Sequence, residues 1–338
     1  KARAIYVYTK NDYLNTSDTL KSDLDFAGKV IKTESSHTKD LATAIVVTDN
    51  FEYDHVGRLK AQDQTIGAHT ERIVSNSYDK LGQLITKAVG NTEANPLQTV
   101  NYNYNIRGWL TNINEDAISD NDLFNFTLRY NNPTSGNALF NGNISQTSWN
   151  TANIDSSTKT YTYGYDALNR ITSGNDNTGN FDLTSVIYDR NGNITYLERK
   201  GHVVDNPTLG TSGHYGIMDK LTYTYDGNQL MKVTDDLSTD KYGFKDDAVD
   251  TTSDTLDDYE YDENGNIEKD ENKGITSITY NHLNLPKVVT LASGNIQYIY
   301  DATGVKLKKI VSTGATTEYA GNYVYENGSL KFYIPILP

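Results

Sequence analysis

Aromatic and polar residues alternate with a period of two in short runs along this chain, and each run ends in the same kind of turn. Tyr102/Tyr104, Tyr161/Tyr163/Tyr165, Tyr223/Tyr225, Tyr259/Tyr261, Tyr298/Tyr300 and Tyr323/Tyr325 each put their rings on one face of a strand. The last Tyr of a run opens Tyr-Asp-x-x-Gly or a close variant. Full copies are Tyr53-Asp54-His55-Val56-Gly57, Tyr78-Asp79-Lys80-Leu81-Gly82 and Tyr300-Asp301-Ala302-Thr303-Gly304. Variants begin at Tyr104, Tyr165, Tyr188, Tyr261 and Tyr280.

With Tyr as position zero, position one is mostly Asp or Asn: Asp54, Asp79, Asp166, Asp189, Asp262 and Asp301. These residues cap the start of a type I turn. Position four is Gly57, Gly82, Gly108, Gly192, Gly265 or Gly304, with Asn169 and Asn284 in two units. Gly and Asn tolerate positive φ most cheaply. Position six returns to Leu or Ile, as at Leu59, Leu84, Leu110, Ile171, Ile194 and Ile267. Each unit therefore predicts strand, turn with a left-handed residue, strand. Tyr225-Asp226-Gly227-Asn228 and Tyr325-Glu326-Asn327-Gly328 predict tighter two-residue hairpins.

The repeat sets the architecture. No long apolar pattern of helical period exists, so almost no helix is expected. The Tyr-to-Tyr spacing is uneven, whereas propeller blades keep a steady ~40–45 residues. The expectation is an all-β chain: one spiralling antiparallel ribbon of hairpins. Residues 1–44 read as incomplete N-terminal strands of a longer protein, 45–333 as the array, and 334–338 as a truncated tail. Within the array, 115–160 fits poorly, its unit broken across Tyr130 and Phe140-Asn141-Gly142-Asn143-Ile144.

Composition supports thin sheets. Hydrophobic residues make up 36% of the chain, and the 26 Tyr outnumber the 8 Phe and 2 Trp together. The net charge of -14 argues against nucleic acid, which needs a basic footprint. The densest acid lies in residues 245–258, read as a solvated loop. With no Cys there is neither disulfide nor thiolate site. No run of ~18 apolar residues could span a bilayer.

The Tyr-Asp-x-x-Gly-[Arg/Asn/Gln]-[Leu/Ile] units resemble the YD repeats of Rhs (rearrangement hot spot) proteins. The likeness is closest in Leu221-Thr222-Tyr223-Thr224-Tyr225-Asp226-Gly227-Asn228, Tyr259-Glu260-Tyr261-Asp262-Glu263-Asn264-Gly265-Asn266 and Tyr298-Ile299-Tyr300-Asp301-Ala302-Thr303-Gly304. The chain looks like the Rhs-type proteins of Bacteroidota. That resemblance implies a β-ribbon wound into a hollow shell, which encloses a C-terminal toxin in bacterial polymorphic-toxin systems and serves adhesion in animal teneurins. It also implies secretion or surface display, with the type IX route as exporter. Toxin-bearing members carry a self-cleaving aspartyl-protease core around Asp-Pro-x-Gly. This chain contains no Asp-Pro dipeptide, so that activity is not carried over.

Candidate chemistry is sparse. The six His are widely spaced and read as surface or turn residues. Gly210-Thr211-Ser212-Gly213-His214 lacks the register of a nucleophile elbow. Asp189-x-Asn191-x-Asn193 and Asp262-x-Asn264-x-Asn266 echo calcium loops. Ile194 and Ile267 stand where such a loop needs Gly, so both read as turns, with no metal or cofactor expected. Asp18-Thr19-Leu20 and Asp254-Thr255-Leu256 resemble the Asp-Ser/Thr-apolar sites that exported Bacteroidota proteins O-glycosylate, making Thr19 and Thr255 candidate acceptors.

The function expected is a non-enzymatic shell wall around a cargo or toxin segment of the same parent chain. The alternative on the same fold is a surface adhesin that binds glycans through a Tyr platform. A hydrolase hidden in 115–160 or 200–218 is the third reading.

Overall fold

The computed structural model describes residues 5–114, 122–153, 155–237, 241–246 and 257–334. The chain divides into two compact units, Lys1–Tyr161 and Thr162–Pro338. The first unit holds β1 (Tyr6–Asn11), β2 (Thr16–Leu24), β3 (Val30–Lys39), β4 (Ile45–Tyr53), β5 (Leu59–Ile66), β6 (His69–Tyr78), β7 (Leu84–Val89), β8 (Gln98–Tyr104), β9 (Leu110–Ile113), β10 (Phe124–Arg129) and β11 (Gln146–Thr151). Each pairs antiparallel with the next. The unit is thus a meander, the arrangement that consecutive hairpins impose.

β12 (Lys159–Tyr165) runs through the division. The second unit continues with β13 (Ile171–Asp176), β14 (Leu183–Tyr188), β15 (Ile194–His202), β16 (Tyr215–Asp226) and β17 (Gln229–Asp235), paired in order from β13. A separate nine-stranded sheet follows. Its strands are β18 (Tyr259–Tyr261), β19 (Ile267–Asp270), β20 (Ile275–Tyr280), β21 (Pro286–Leu291), β22 (Gly294–Tyr300), β23 (Lys306–Val311), β24 (Thr316–Ala320), β25 (Tyr323–Glu326) and β26 (Ser329–Tyr333). These too pair in sequence order. The one helical turn among the described residues is the 3-10 segment Glu271–Lys273. The expected antiparallel hairpin ribbon is what the molecule adopts.

The ladder shifts register at seven of the repeat Tyr residues: between Glu52 and Tyr53, Ser77 and Tyr78, Asn103 and Tyr104, Ile187 and Tyr188, Glu260 and Tyr261, Thr279 and Tyr280, and Ile299 and Tyr300. Each shift is a bulge, which raises local twist. The same shift falls between Thr224 and Tyr225 and between Val324 and Tyr325, ahead of two-residue turns, so it goes with the tyrosine position and not with loop length.

Burial is shallow and polar. The largest fully buried side chains are His37, Gln62, Gln146, Val47, Asn125, Asp219, Asp258 and Ser145, of which only Val47 is aliphatic. His37 corrects the expectation of surface histidines. It is 1% exposed in β3, with Nδ1 2.6 Å from Asp18 Oδ1 of β2. An apolar cluster lies in the second unit, where Leu221, Val233 and Tyr259 pack with Leu197, Tyr223, Leu230, Phe244 and Tyr261.

Asp258, just ahead of β18, joins the two sheets of that unit. Its Oδ2 accepts from Val233 N–H of β17 and from Asn272 Nδ2, each at 2.8 Å. Its own N–H donates to Met231 O, and its carbonyl accepts from Glu271 N–H.

Candidate functional site: the repeated turn and its stitch

The turn satisfies itself. In the unit at Tyr53, Asp54 N–H donates to Arg58 O, and Gly57 N–H donates back to Asp54 O. Asp54 Oδ1 accepts from Val56 N–H and Arg58 N–H at 3.0 and 2.9 Å, while Oδ2 takes Arg58 Nε at 2.6 Å. The same pair of backbone N–H groups reaches the side-chain oxygen of Asp79, Asn105, Asp166, Asp189, Asp262, Asn281 and Asp301. Position four is left-handed in every copy: Gly57 at φ 90, Gly82 at 90, Gly108 at 78, Asn169 at 62, Gly192 at 94, Gly265 at 81, Asn284 at 55 and Gly304 at 91.

The calcium-like loops are the same turn. Asp189 Oδ1 accepts from Asn191 and Asn193 N–H, and Oδ2 from Asn193 Nδ2. Asp262 does likewise with Asn264 and Asn266. Both carboxylates serve their own loops. Asp226 instead faces Gln229 across the two-residue turn Gly227-Asn228, and Glu326 faces Ser329 across Asn327-Gly328. In the loop after β15, Thr208 N–H donates to His214 Nδ1.

Sequence reasoning gave the tyrosines a packing role and missed what their hydroxyls do. Eight of these hydroxyls reach back one unit and donate to the first residue of that unit's return strand or, for Tyr261, the second. Tyr53 donates to Val30 O, Tyr78 to Leu59 O, Tyr104 to Leu84 O and Tyr130 to Leu110 O, all between 2.8 and 2.9 Å. In the second unit Tyr188 donates to Ile171 O, Tyr225 to Ile194 O, Tyr261 to Leu230 O and Tyr280 to Ile267 O, between 2.5 and 2.8 Å. Phe could fill the same space without making this bond. A cation at position five also stacks on the next unit's ring: Lys29 over Tyr53 at 4.5 Å, Arg58 over Tyr78 at 4.4 Å and Arg170 over Tyr188 at 4.5 Å. Hairpins are therefore tied to their neighbours by side chains as well as by the ladder.

The structure adds a unit that the Tyr-based reading passes over. In Leu24-Asp25-Phe26-Ala27-Gly28-Lys29-Val30, Asp25 accepts from Lys29 N–H and Gly28 sits at φ 78. Leu at position zero hid it; Asp and Gly three residues apart were the available signal. Tyr130 is the converse, keeping the hydroxyl stitch although its turn chemistry is lost and residues 130–145 form a long connection. Thr19 lies half-buried in β2 opposite Tyr8 and Ser36. Thr255 lies outside the described residues.

These bonds make the ribbon sensitive to pH at both ends. Burial would raise the Asp54 carboxyl, but the N–H groups of Arg58 and Val56 and the Arg58 guanidinium outweigh it and hold the pKa at about 2. Asp166 is lowered chiefly by Arg170 N–H, Asp262 by the Asn266 amide and Asp301 by the Thr303 hydroxyl. A lowered carboxyl adds stability that is complete above its unfolded value, near 4, and is lost as pH falls through the folded value. Burial raises the phenols of Tyr53, Tyr104, Tyr188 and Tyr225. Their contribution is present below about pH 10 and lost as pH rises beyond it. Circular dichroism against pH is expected to show a stable plateau, an acid limb between about pH 4 and 2, and an alkaline limb above about 10.

Replacing one stitch hydroxyl tests its weight. Tyr188→Phe is expected to lower unfolding free energy by about 1 kcal/mol, the net worth of one hydrogen bond. Urea denaturation reads it. No change at Tyr188, Tyr225 and Tyr261 alike would make the stitch ornamental.

Comparison with known proteins bears on the fold alone. No protein-family model and no curated protein sequence matches the chain. Two solved structures that resemble it are the crystal structure of TcdB2-TccC3-TEV and the Photorhabdus luminescens Tc holotoxin pore with the TccC3-D651A mutation. The first superposes with a TM-score of 0.54 at 14% identity, over 92% of this chain. The second gives 0.55 at 15%, over 93%. This chain covers 17% of each of those chains. The hairpin-ribbon architecture is thus shared with components of a Tc toxin.

Proposed function

We propose that this chain is a non-enzymatic wall segment of a larger exported shell, enclosing or presenting a cargo or toxin segment of its parent protein. The observation that carries this reading is the stitched turn. The repeat's carboxylates and glycines are engaged in holding each turn, and its phenols in holding one hairpin to the next. Such a ribbon is stiff, extensible by further units and indifferent to what it surrounds. The resemblance of the repeats to Rhs proteins, and the fold shared with Tc toxin components, support the same reading. The hydroxyl stitch also favours a wall over an aromatic glycan platform at Tyr104, Tyr225 and Tyr261, whose polar tips already donate to backbone carbonyls.

The test needs the parent protein. The segment that follows the array is expected to resist protease while the ribbon is folded, and to be cut once the ribbon is destabilised by a turn mutation. Digestion at the rate of the isolated segment would overturn the wall. Protease shaving of intact cells tests export: the parent is expected to lose its array from the surface.

A further inference from the structure

Four Asn-Gly bonds occur in the chain, at Asn141, Asn191, Asn264 and Asn327. Asn is a thermally labile residue. The lability is greatest before glycine, where no side chain shields the backbone nitrogen that can attack the Asn side-chain carbon. The next residue is Asn at three of the bonds and Ser at Asn327, so sequence hardly separates them. All four Asn are exposed, so access to water does not separate them either. Their hydrogen bonds do. Asn191 and Asn264 hold position three of repeat turns, where the glycine nitrogen is engaged. Gly192 N–H donates to Asp189 O at 3.3 Å, and Gly265 N–H to Asp262 O at 3.0 Å. The Asn191 and Asn264 N–H groups are fixed as well, on Asp189 Oδ1 and Asp262 Oδ1. Asn327 sits in the two-residue turn before β26. Its N–H donates to Thr316 O at 2.8 Å, and its Oδ1 accepts from Thr316 N–H at 3.0 Å, which holds the side chain on β24.

Asn141 stands apart. It lies in the connection between β10 and β11, outside the repeat. Gly142 N–H has no acceptor among the described residues. Asn141 Oδ1 accepts from Asn143 N–H at 3.1 Å, a bond that folds the side chain back over the Gly142 nitrogen between them. The same N–H steadies negative charge on that oxygen as a ring closes. Arg107 Nη1 donates to Phe140 O at 3.4 Å, so a guanidinium lies one residue away. A nearby cation favours both the deprotonated nitrogen that attacks and the carboxylate that results. Asn105 and Asn281 accept in the same way, from Arg107 N–H and Leu283 N–H. Ile106 and His282 follow them, however, and those side chains crowd the nitrogen.

We propose that Asn141 is a site of spontaneous deamidation, which the fold directs to this one of the Asn-Gly bonds. Gly142 N gives its proton to water or hydroxide and bonds to Asn141 Cγ, and Nδ2 leaves as ammonia, closing a cyclic imide. Water then opens the ring. Addition at Cγ yields aspartate. Addition at the α-carbonyl yields isoaspartate, whose peptide bond runs through Cγ and lengthens the backbone by one carbon. Both products exchange an amide for a carboxylate beside Arg107, and loss of ammonia makes the change one-way. The repeat turns keep their chemistry, because the change is confined to the connection. This site does not depend on the wall reading and would stand on an adhesin equally well.

The test incubates the full folded chain in mildly alkaline buffer and follows each Asn-Gly bond by peptide mass mapping. Isoaspartyl methyltransferase labels the iso form. The peptide holding Asn141 is expected to convert at least about fivefold faster than those holding Asn191, Asn264 and Asn327, since one hydrogen bond of about 1 kcal/mol changes a rate by roughly that factor. In urea, where the turn bonds are gone, the four rates should converge. Asn141→Gln should remove the early conversion from the folded chain and leave the other three bonds unchanged. Conversion at Asn141 no faster than at the other three in the folded chain would overturn the proposal. A lead for Asn141 that persists in urea would overturn it too, because the local sequence and not the fold would then be its cause.

Discussion

Asp258→Ala is expected to lower the stability of the second unit by about 3 kcal/mol or more, because it leaves buried donors without an acceptor, each worth roughly 1–3 kcal/mol. The donors are Val233 N–H on β17 and the side-chain amide of Asn272 in the 3-10 turn. Asp258 is 1% exposed, so water cannot replace the lost oxygen without opening the structure. The position is also topological. β17 ends one ladder and β18 begins the next, and beside the apolar cluster of Val233 and Tyr259 the polar links between them include Asp258 and the Tyr261 hydroxyl on Leu230 O. Urea denaturation should show an early transition confined to the second unit. Hydrogen exchange should quicken at Val233 while β2 to β8 stay protected. Asp258→Asn keeps an acceptor and is expected to be milder. An alanine variant as stable as the parent would mean that the two sheets of this unit are held by something else.

The second large effect is expected at Gly57. Its φ of 90 is a conformation that costs an L-residue roughly 1–2 kcal/mol, more for a β-branched one. A Cβ there would also collide with Lys29 Nζ, which donates to Gly57 O and lies over the Tyr53 ring. Gly57→Val should therefore lose about 3 kcal/mol, combining backbone strain with a displaced cation. Gly192 separates the two terms. It has φ 94 and open space where a Cβ would go. Gly192→Ala should carry the backbone term alone, about 1–2 kcal/mol. Equal losses at Gly57→Ala and Gly192→Ala would remove Lys29 from the account. No loss at either would remove the left-handed turn on which the fold reading rests.

Asp54, Gly57 and Leu59 were legible because turn chemistry is local. Asp caps the residues that follow it, and Gly relieves a strain that depends only on its own φ. Period-two aromatics were legible for the same reason. The unit at Asp25 escaped because Leu24 replaces the aromatic used to find the others, though the turn residues were all present. His37 escaped because its burial comes from the strand beside it, not from its neighbours in sequence. The burial of Asn125 could not be foreseen, since it needs the register of β10 against β11, set across a connection that departs from the repeat.

The sequence by itself determined that the chain is a ribbon of hairpins and where each one turns, since both depend on residues within a few positions of one another. Only the tertiary structure decided why the repeat keeps tyrosine: the hydroxyl's acceptor is a carbonyl one hairpin away, 13 to 31 residues distant in the chain. Tertiary structure also decided that the two sheets of the second unit meet at Asp258. Both are contacts between elements, and no periodicity along one strand records which carbonyl a neighbouring strand will present.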